Sequence, residues 1–391
     1  MAIKKIGVVA MSNLSVGGGY ARVVRDLINA LSKMNYNVFL LTRSEINYKR
    51  IEKFHGKIKL EKIYQPKGIK SFFCRDEILS RKLMKKEFEK MTKEVDLIID
   101  VDGKVLHKYL PENFDRKKYI IWRVSCAERD VKKFPWMVMG FKRRVKEKIK
   151  NLLENKEDIP EKDIKIYPLD EWTKKELINY WKVKPEEFCL YPEIKVNEFL
   201  HKKIKKKSQI VVLGRIAPNK VIDDLIKIFS RGTKNFPEYR LIILGGTTPD
   251  SNNYIDFLNK IIKNEGVSNK VRIIKDPSFQ ELKNVLLESK ILLDSHKEVS
   301  LTMTAIEALA AGVIVLAYKN SGTYEEVLDK GRYGWGFLGV EEGSARLEEI
   351  LKSIKHKRIN LARLKKRADF FSRENFVKRL KKIIKEIENE R

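Results

Sequence analysis

With 391 residues the chain exceeds what one hydrophobic core usually serves, which predicts two domains. Lys and Arg number 82 against 53 Asp and Glu, a formal net charge of +29, so the partners favoured are anionic: nucleotide phosphates, acidic lipid headgroups or nucleic acid. Cys74, Cys126 and Cys189 lie too far apart for a disulfide framework or a cysteine metal site, and no apolar run reaches the roughly 18–20 residues that span a bilayer. Lys4 and Lys5 precede an apolar run too short for a signal peptide. A cytoplasmic protein is expected.

The N-terminal half opens with a strand, Ile6 to Ala10, a loop containing Gly17, Gly18 and Gly19, and a helix from about Ala21 to Met34, on which Val23, Val24, Leu27, Ile28 and Leu31 recur at helical spacing. Val38 to Thr42 is the next strand. This is a βαβ opening whose glycines permit close approach of a ligand. It is not G-x-G-x-x-G, and Arg43 and Ser44 stand where a dinucleotide-binding acid is expected, which argues against a dehydrogenase. The strand Leu97 to Ile99 leads into Asp100-Val101-Asp102, a carboxylate pair that can hold a divalent ion but is read here as ordinary strand-end acids; no metal ligand set is predicted. Tyr119 to Trp122 is a further strand.

In the basic segment 132–153, Val138, Phe141, Val145, Ile149 and Leu152 recur at helical spacing while Lys142, Arg143, Arg144, Lys146, Lys148 and Lys150 crowd the other positions, with Phe134, Trp136 and Met137 ahead of them. Such a helix lies in an anionic membrane interface, or packs its apolar stripe on its own domain with the basic face solvated. The charge run from His201 to Ser208 is the expected linker.

The second half repeats the strand, glycine and helix order. After the strand Ile210 to Leu213, Gly214 lets the backbone approach a ligand, and Arg215 and Lys220 flank a Pro-containing turn before a helix. A planar fork of donors beside a compact cation suits two adjacent phosphates. Leu241 to Leu244 ends at Gly245-Gly246 and Val271 to Ile274 at Lys275-Asp276-Pro277, strand ends that are candidate edges for a nucleobase pocket. After Ile291 to Leu293, a loop carrying Ser300 and Thr302 opens a helix that bears Glu307 and ends at Gly312, followed by a strand from Val313 to Ala317. A carboxylate beside a helix N-terminus suits a sugar nucleotide, the diphosphate on the helix end and the acid on the ribose. Last, Ser372 is a predicted side-chain cap for a helix striped by Phe376, Leu380, Ile383, Ile384 and Ile387.

The Gly214-Arg215…Lys220 run followed by the acid at Glu307 resembles the signatures of the family 4 retaining glycosyltransferases, and Leu190-Tyr191-Pro192 is similar to a turn in dolichol-pathway mannosyltransferases. The resemblance implies a GT-B fold: α/β, with two Rossmann-like domains facing a cleft (1–204 on the acceptor side, 205–370 for the nucleotide sugar) and a C-terminal helix, 371–391, crossing back to the first. It implies transfer of a hexose of mannose or glucose type from a GDP- or UDP-sugar to a lipid-linked or other membrane-proximal saccharide, without a metal cofactor and on the cytoplasmic face of a membrane touched through 132–153. A soluble enzyme acting on a sugar or polysaccharide is the alternative, and a basic nucleic-acid-binding protein the outsider; with no recognised module and no aromatic interleaving, no nucleic-acid partner is expected.

By the same resemblance, Arg215, Lys220 and Glu298 are the catalytic residues: the two cations stabilise the departing diphosphate and Glu298 contacts sugar hydroxyls. Glu307 holds the ribose. Gly17, Gly18, Gly19, Gly214, Ser300, Leu301 and Thr302 complete the donor site, with Arg22 an accessory candidate. A His that many members place after the Tyr119–Trp122 strand is lacking, and Arg123 and Ser125 are its expected replacements, ahead of His107. The chain departs from the pattern in that Glu298 lies nine positions before Glu307 rather than eight, Ser300 and Thr302 replace glycines, and Val221 follows Lys220 where a glycine is usual.

Overall fold

Residues 2–11, 14, 18–43, 46, 58–65, 77–103, 106–124, 160–200, 204–247 and 251–390 are described by a computed structural model of the protein. The N-terminal half contains β1 (Lys5–Ala10), α1 (Gly19–Lys33), β2 (Asn37–Thr42), β3 (Lys62–Tyr64), α2 (Glu77–Thr92), β4 (Leu97–Val101), β5 (Tyr119–Arg123) and β6 (Lys165–Pro168). These strands form a six-stranded sheet of order β3-β2-β1-β4-β5-β6, parallel throughout. Strand side chains alternate between faces, so Ile6, Val8 and Ala10 pack in one cluster with Val24, Leu27 and Ile28 of α1, while Val9 and Met11 join Met84, Phe88 and Met91 of α2 in another. Burial on both faces is why these strands read as unbroken apolar runs.

A short helix, α3 (Glu171–Glu176), continues into a wide turn at Leu177–Trp181, and α4 (Asn197–Leu200) precedes the second half. There follow β7 (Gln209–Leu213), α5 (Ile222–Gly232), β8 (Arg240–Gly245), α6 (Ser251–Asn264), β9 (Val271–Lys275), α7 (Phe279–Glu288), β10 (Ile291–Leu293), α8 (Met303–Ala310), β11 (Ile314–Tyr318), β12 (Trp335–Phe337), α9 (Val340–Lys355), α10 (Leu361–Asp369) and α11 (Arg373–Asn389). The second sheet runs β12-β11-β10-β7-β8-β9, again parallel. Numbered from its own first strand, each sheet has the doubly wound order 3-2-1-4-5-6. The direction of winding therefore reverses between β1 and β4 in one sheet and between β7 and β10 in the other. Ligands of such sheets sit in the crevice beyond the carboxyl ends of the two strands at that reversal.

α11 buries the whole predicted stripe, Phe376, Leu380, Ile383, Ile384 and Ile387, and returns to the first sheet. Its Phe376 ring lies 5.8 Å from that of Trp122 on β5, and Glu388 Oε1 accepts a hydrogen bond of 2.9 Å from the Ile3 amide. The chain crosses between the halves at two adjacent segments, where the Ile194 amide donates to the Phe371 carbonyl at 3.1 Å and Tyr191 packs edge-on against Phe370 and Phe371. Two expectations need correction. α1 starts at Gly19, two residues before the predicted Ala21, because glycine rather than a side-chain cap opens it. Ser372 occupies the N-cap of α11, but its hydroxyl makes no capping bond; the predicted side-chain cap is not formed.

Candidate functional site

The ends of β7 and β10 carry most of the predicted residues. Gly214 follows β7 with φ +151°, which side chains rarely adopt, and a Cβ there would stand 3.4 Å from Ser295 Oγ and 3.7 Å from His296 Cε1. Gly245, at the end of β8, lies so close that an added Cβ would be 1.6 Å from the Gly214 carbonyl oxygen. Backbone of the two strand ends is thus in close contact at Gly214 and Gly245. Arg215 is exposed and Lys220 half-buried in the turn that leads to α5. Val221, where a glycine is usual, takes φ +42° and ψ +38°. A β-branched residue in that left-handed region carries a strain of about 1–3 kcal/mol, so the turn keeps the shape a glycine would give it without the glycine.

After β10, Asp294 is 1% exposed and its Oδ1 lies 2.8 Å from His296 Nδ1. Two groups here have no hydrogen-bond partner among the described residues, Asp294 Oδ2 and the fully buried Ser295 Oγ. Glu298 stands in the left-handed region at φ +56°, its amide donating to the Asn320 carbonyl at 2.6 Å. That single unusual residue absorbs the extra position between Glu298 and Glu307. Ser300 is half-buried.

Glu307, on the second turn of α8, is 2% exposed and paired with Arg22 of α1, which is also 3.6 Å from Asp26. Burial opposes the charge on Arg22, but Glu307 and Asp26 outweigh it and hold the guanidinium above its ordinary pKa. Gly18 caps α1, and a Cβ on Gly19 would meet Met303, the first residue of α8, at 3.2 Å. The two helix N-termini thus face each other, one from each sheet, and Arg22 moves from accessory candidate to the direct partner of the ribose-binding candidate.

The loop entering α8 is held from the first half. Asp170, fully buried, caps α3 through Thr173 N at 2.8 Å and accepts from the Leu301 amide at 2.6 Å. Gly322 makes room for this junction, since a Cβ there would lie 2.4 Å from Asp170 Oδ2 and 2.5 Å from the Leu301 nitrogen. Burial raises the Asp170 pKa. The Leu301 amide is thus bonded to Asp170. The Thr302 hydroxyl lies 3.1 Å from Thr323 Oγ1, which also accepts from the Thr302 amide at 3.2 Å.

Other predicted residues lie elsewhere. Arg123 is 5% exposed, donates to the Asp102 carbonyl and stacks on Trp181 at 4.5 Å, so its guanidinium braces the first sheet and does not stand in for the sugar-contacting His. His107 is buried in a short turn after β4. Asp100 accepts from Tyr119 and from the Gly103 amide at 3.2 Å, and burial pushes its carboxyl up to about 7. Among the described residues no group of three or more His, Cys, Asp and Glu could hold a metal ion. At the candidate nucleobase edge, both Asp276 oxygens bind Thr247, at 2.8 Å each, and tie the ends of β8 and β9 together. Gly17, Ser125 and the whole of 132–153 lie outside the described residues.

Residues 194–370 match the family described as Glycosyl transferases group 1. The match lies in the C-terminal half and covers less than half of the chain. The matched span holds Gly214, Arg215, Lys220, Glu298 and Glu307 on the strand ends just described. Among curated proteins, the mouse GDP-Man:Man(3)GlcNAc(2)-PP-Dol alpha-1,2-mannosyltransferase is 27% identical over 215 residues, which are 49% of this chain and 44% of the mouse protein. The chain spans less than half the length of the curated relatives it matches. Two solved structures share the arrangement of both sheets. Sucrose-phosphate synthase from Thermosynechococcus elongatus superposes with a TM-score of 0.74 at 13% identity, covering 99% of this chain and all of that one. An Anabaena protein in complex with UDP-glucose gives 0.67 at 12% identity, covering 98% and 99%. The two halves together have the α/β, GT-B fold of these structures.

Sequence reasoning missed Asp170, His296 and Thr323. Asp170 precedes a Glu by one position and a Thr by three, a pattern that marks a helix cap, but its second partner is 131 residues away. His296 is signalled only by the Asp two positions earlier.

Proposed function

We propose that the chain is a family 4 retaining glycosyltransferase that moves a hexose, mannose in the first place, from a nucleotide-diphosphate sugar to a lipid-linked saccharide. The observation that carries this reading is that Arg215 and Lys220 follow β7 and Glu307 lies on α8, which follows β10, and that β7 and β10 are the two strands at the reversal point of a doubly wound sheet. Breaking the bond from the anomeric carbon to phosphate builds negative charge on the departing diphosphate. Arg215 and Lys220 are the preorganised cations for that charge and need no metal beside them. Glu307 accepts the ribose hydroxyls, Glu298 the sugar hydroxyls, and Gly18, Gly19, Gly214, Ser300 and Thr302 border the donor. GDP-mannose is the first choice of donor because the mouse relative's name carries GDP-Man; UDP-sugars are the second. The domains proposed are 1–204, 205–370 and 371–391.

The test is thermal stability with GDP-mannose, UDP-glucose and their diphosphates, with and without chelator. A ligand at about 100 times its Kd stabilises by about 2.7 kcal/mol. One nucleotide is expected to raise the Tm regardless of chelator, and to lose its effect in Glu307→Ala. No shift with any of them would sink the donor reading.

No helix among the described residues is long and apolar enough to cross a membrane. The net charge of +29 and the basic segment 132–153 support docking on the anionic cytoplasmic face of a membrane, where a lipid-linked acceptor resides. Co-sedimentation with anionic liposomes is expected, weakened by neutralising Lys142, Arg143 and Arg144 together. Unchanged sedimentation would remove this segment from the reading.

A further inference from the structure

We propose that His296, oriented by Asp294, is a third cationic contact for the donor diphosphate, beside Arg215 and Lys220. The inference rests on the nucleotide-sugar reading above and adds a residue to that site. Asp294 and His296 follow β10, one of the two strands at the reversal point, and Gly214 follows the other. The imidazole Cε1 is 3.7 Å from where a side chain at Gly214 would begin, and Ser295 Oγ, buried and without a hydrogen-bond partner among the described residues, is 3.4 Å from the same point. The ring and the hydroxyl therefore border the space that Gly214 leaves open. The ring is also within electrostatic reach of both Lys220 and Arg215.

The Asp294 carboxylate fixes what the ring can do. Its Oδ1, 2.8 Å from Nδ1, accepts a hydrogen bond, so the proton of the neutral imidazole sits on Nδ1 and Nε2 carries a lone pair. In that form His296 offers a phosphate nothing. To donate from Nε2 it must take up a proton. Without a donor, burial, then Lys220, hold the imidazole below its ordinary pKa, with Arg215 acting in the same direction and Asp294 opposing them. A bound diphosphate reverses this balance by neutralising the two cations and supplying an acceptor. Binding and protonation are then linked, and donor affinity rises as the pH falls through the range in which the bound imidazole takes up its proton.

The experiment is titration calorimetry of the full chain with GDP-mannose and with UDP-glucose, in two buffers of different ionisation enthalpy, at about pH 7. Intact sugar nucleotides are used because their diphosphate is esterified at both ends and does not itself titrate near neutrality. The wild type is expected to take up a fraction of a proton on binding. His296→Gln, checked for an unchanged Tm, should take up none and bind about tenfold more weakly. Asp294→Asn keeps the shape and the acceptor but removes the charge, and should reduce the uptake while leaving the imidazole in place. Uptake or affinity unchanged in His296→Gln would overturn the inference alone. Failure of the wild type to bind either sugar nucleotide would overturn the nucleotide-sugar reading, and this contact with it.

Discussion

Arg22→Ala is expected to destabilise the protein by about 3–5 kcal/mol, whereas Arg22→Ala combined with Glu307→Ala should cost clearly less than the two single effects added together. Glu307 is 2% exposed and Arg22 15%, so removing the guanidinium leaves a carboxylate inside the protein with neither water nor a counter-charge. Removing both takes away the charge that would be stranded. The pair joins α1, behind the first sheet's glycine loop, to α8 of the second, 285 residues further along the chain. Asp26, 3.6 Å from Arg22, is left with Arg25 as its partner and does not share the penalty in full. Urea unfolding of the wild type, both single variants and the double variant gives the coupling. A coupling near zero would mean that the ion pair does not hold the two halves together. The same variants report on the donor: if Glu307 binds ribose, nucleotide stabilisation must vanish in Glu307→Ala and persist, at lower stability, in Arg22→Ala.

Local periodicity made the strands and helices legible. Ile6 to Ala10, Ile210 to Leu213 and Ile291 to Leu293 each follow from a short apolar run, and the stripe Phe376 to Ile387 follows from 3.6-residue spacing. Residue type also marked Gly214, Arg215 and Lys220 after a buried strand as the candidate phosphate side. What local reasoning could not supply was who pairs with whom across the cleft. Glu307 reads as a ribose acceptor from its helix, yet its partner Arg22 belongs to the other sheet. The Ser372 cap is not formed because packing of the buried stripe holds α11 without it. Departures from the family pattern were visible as letters but not as shapes. Val221 and Glu298 both adopt left-handed backbone, so one keeps a glycine's turn and the other takes up an extra residue. The turn after β7 and the loop after β10 thus carry left-handed backbone where the sequence shows a substitution and an insertion.

The loop entering α8 is tied to the first half by the buried carboxylate of Asp170, so Asp170→Asn is the change expected to loosen it most. Asp170 Oδ1 accepts from the Thr173 amide at 2.8 Å and Oδ2 from the Leu301 amide at 2.6 Å. An asparagine has one acceptor oxygen, so one of the two amides would face an NH2 group and lose its bond. Relief by movement is blocked, because Gly322 already lies so close that an added Cβ would be 2.4 Å from Oδ2. If the loop amide is the one released, the cost is that of a buried unsatisfied donor, about 1–3 kcal/mol. If the cap is released instead, about 0.5–2 kcal/mol is lost from α3. The consequence for function separates the two. Glu298, Ser300 and Thr302 stand on the stretch that Leu301 anchors, and Thr302 has a second tether in Thr323. Release at Leu301 should raise the KM for the sugar nucleotide by roughly tenfold while the affinity for the bare nucleoside diphosphate, whose proposed contacts are Arg215, Lys220 and Glu307, changes little. Release at the α3 cap should lower stability with the KM unchanged. Equal loss of affinity for the sugar nucleotide and for the bare diphosphate would show that Asp170 supports the whole second sheet's site rather than the sugar-facing loop.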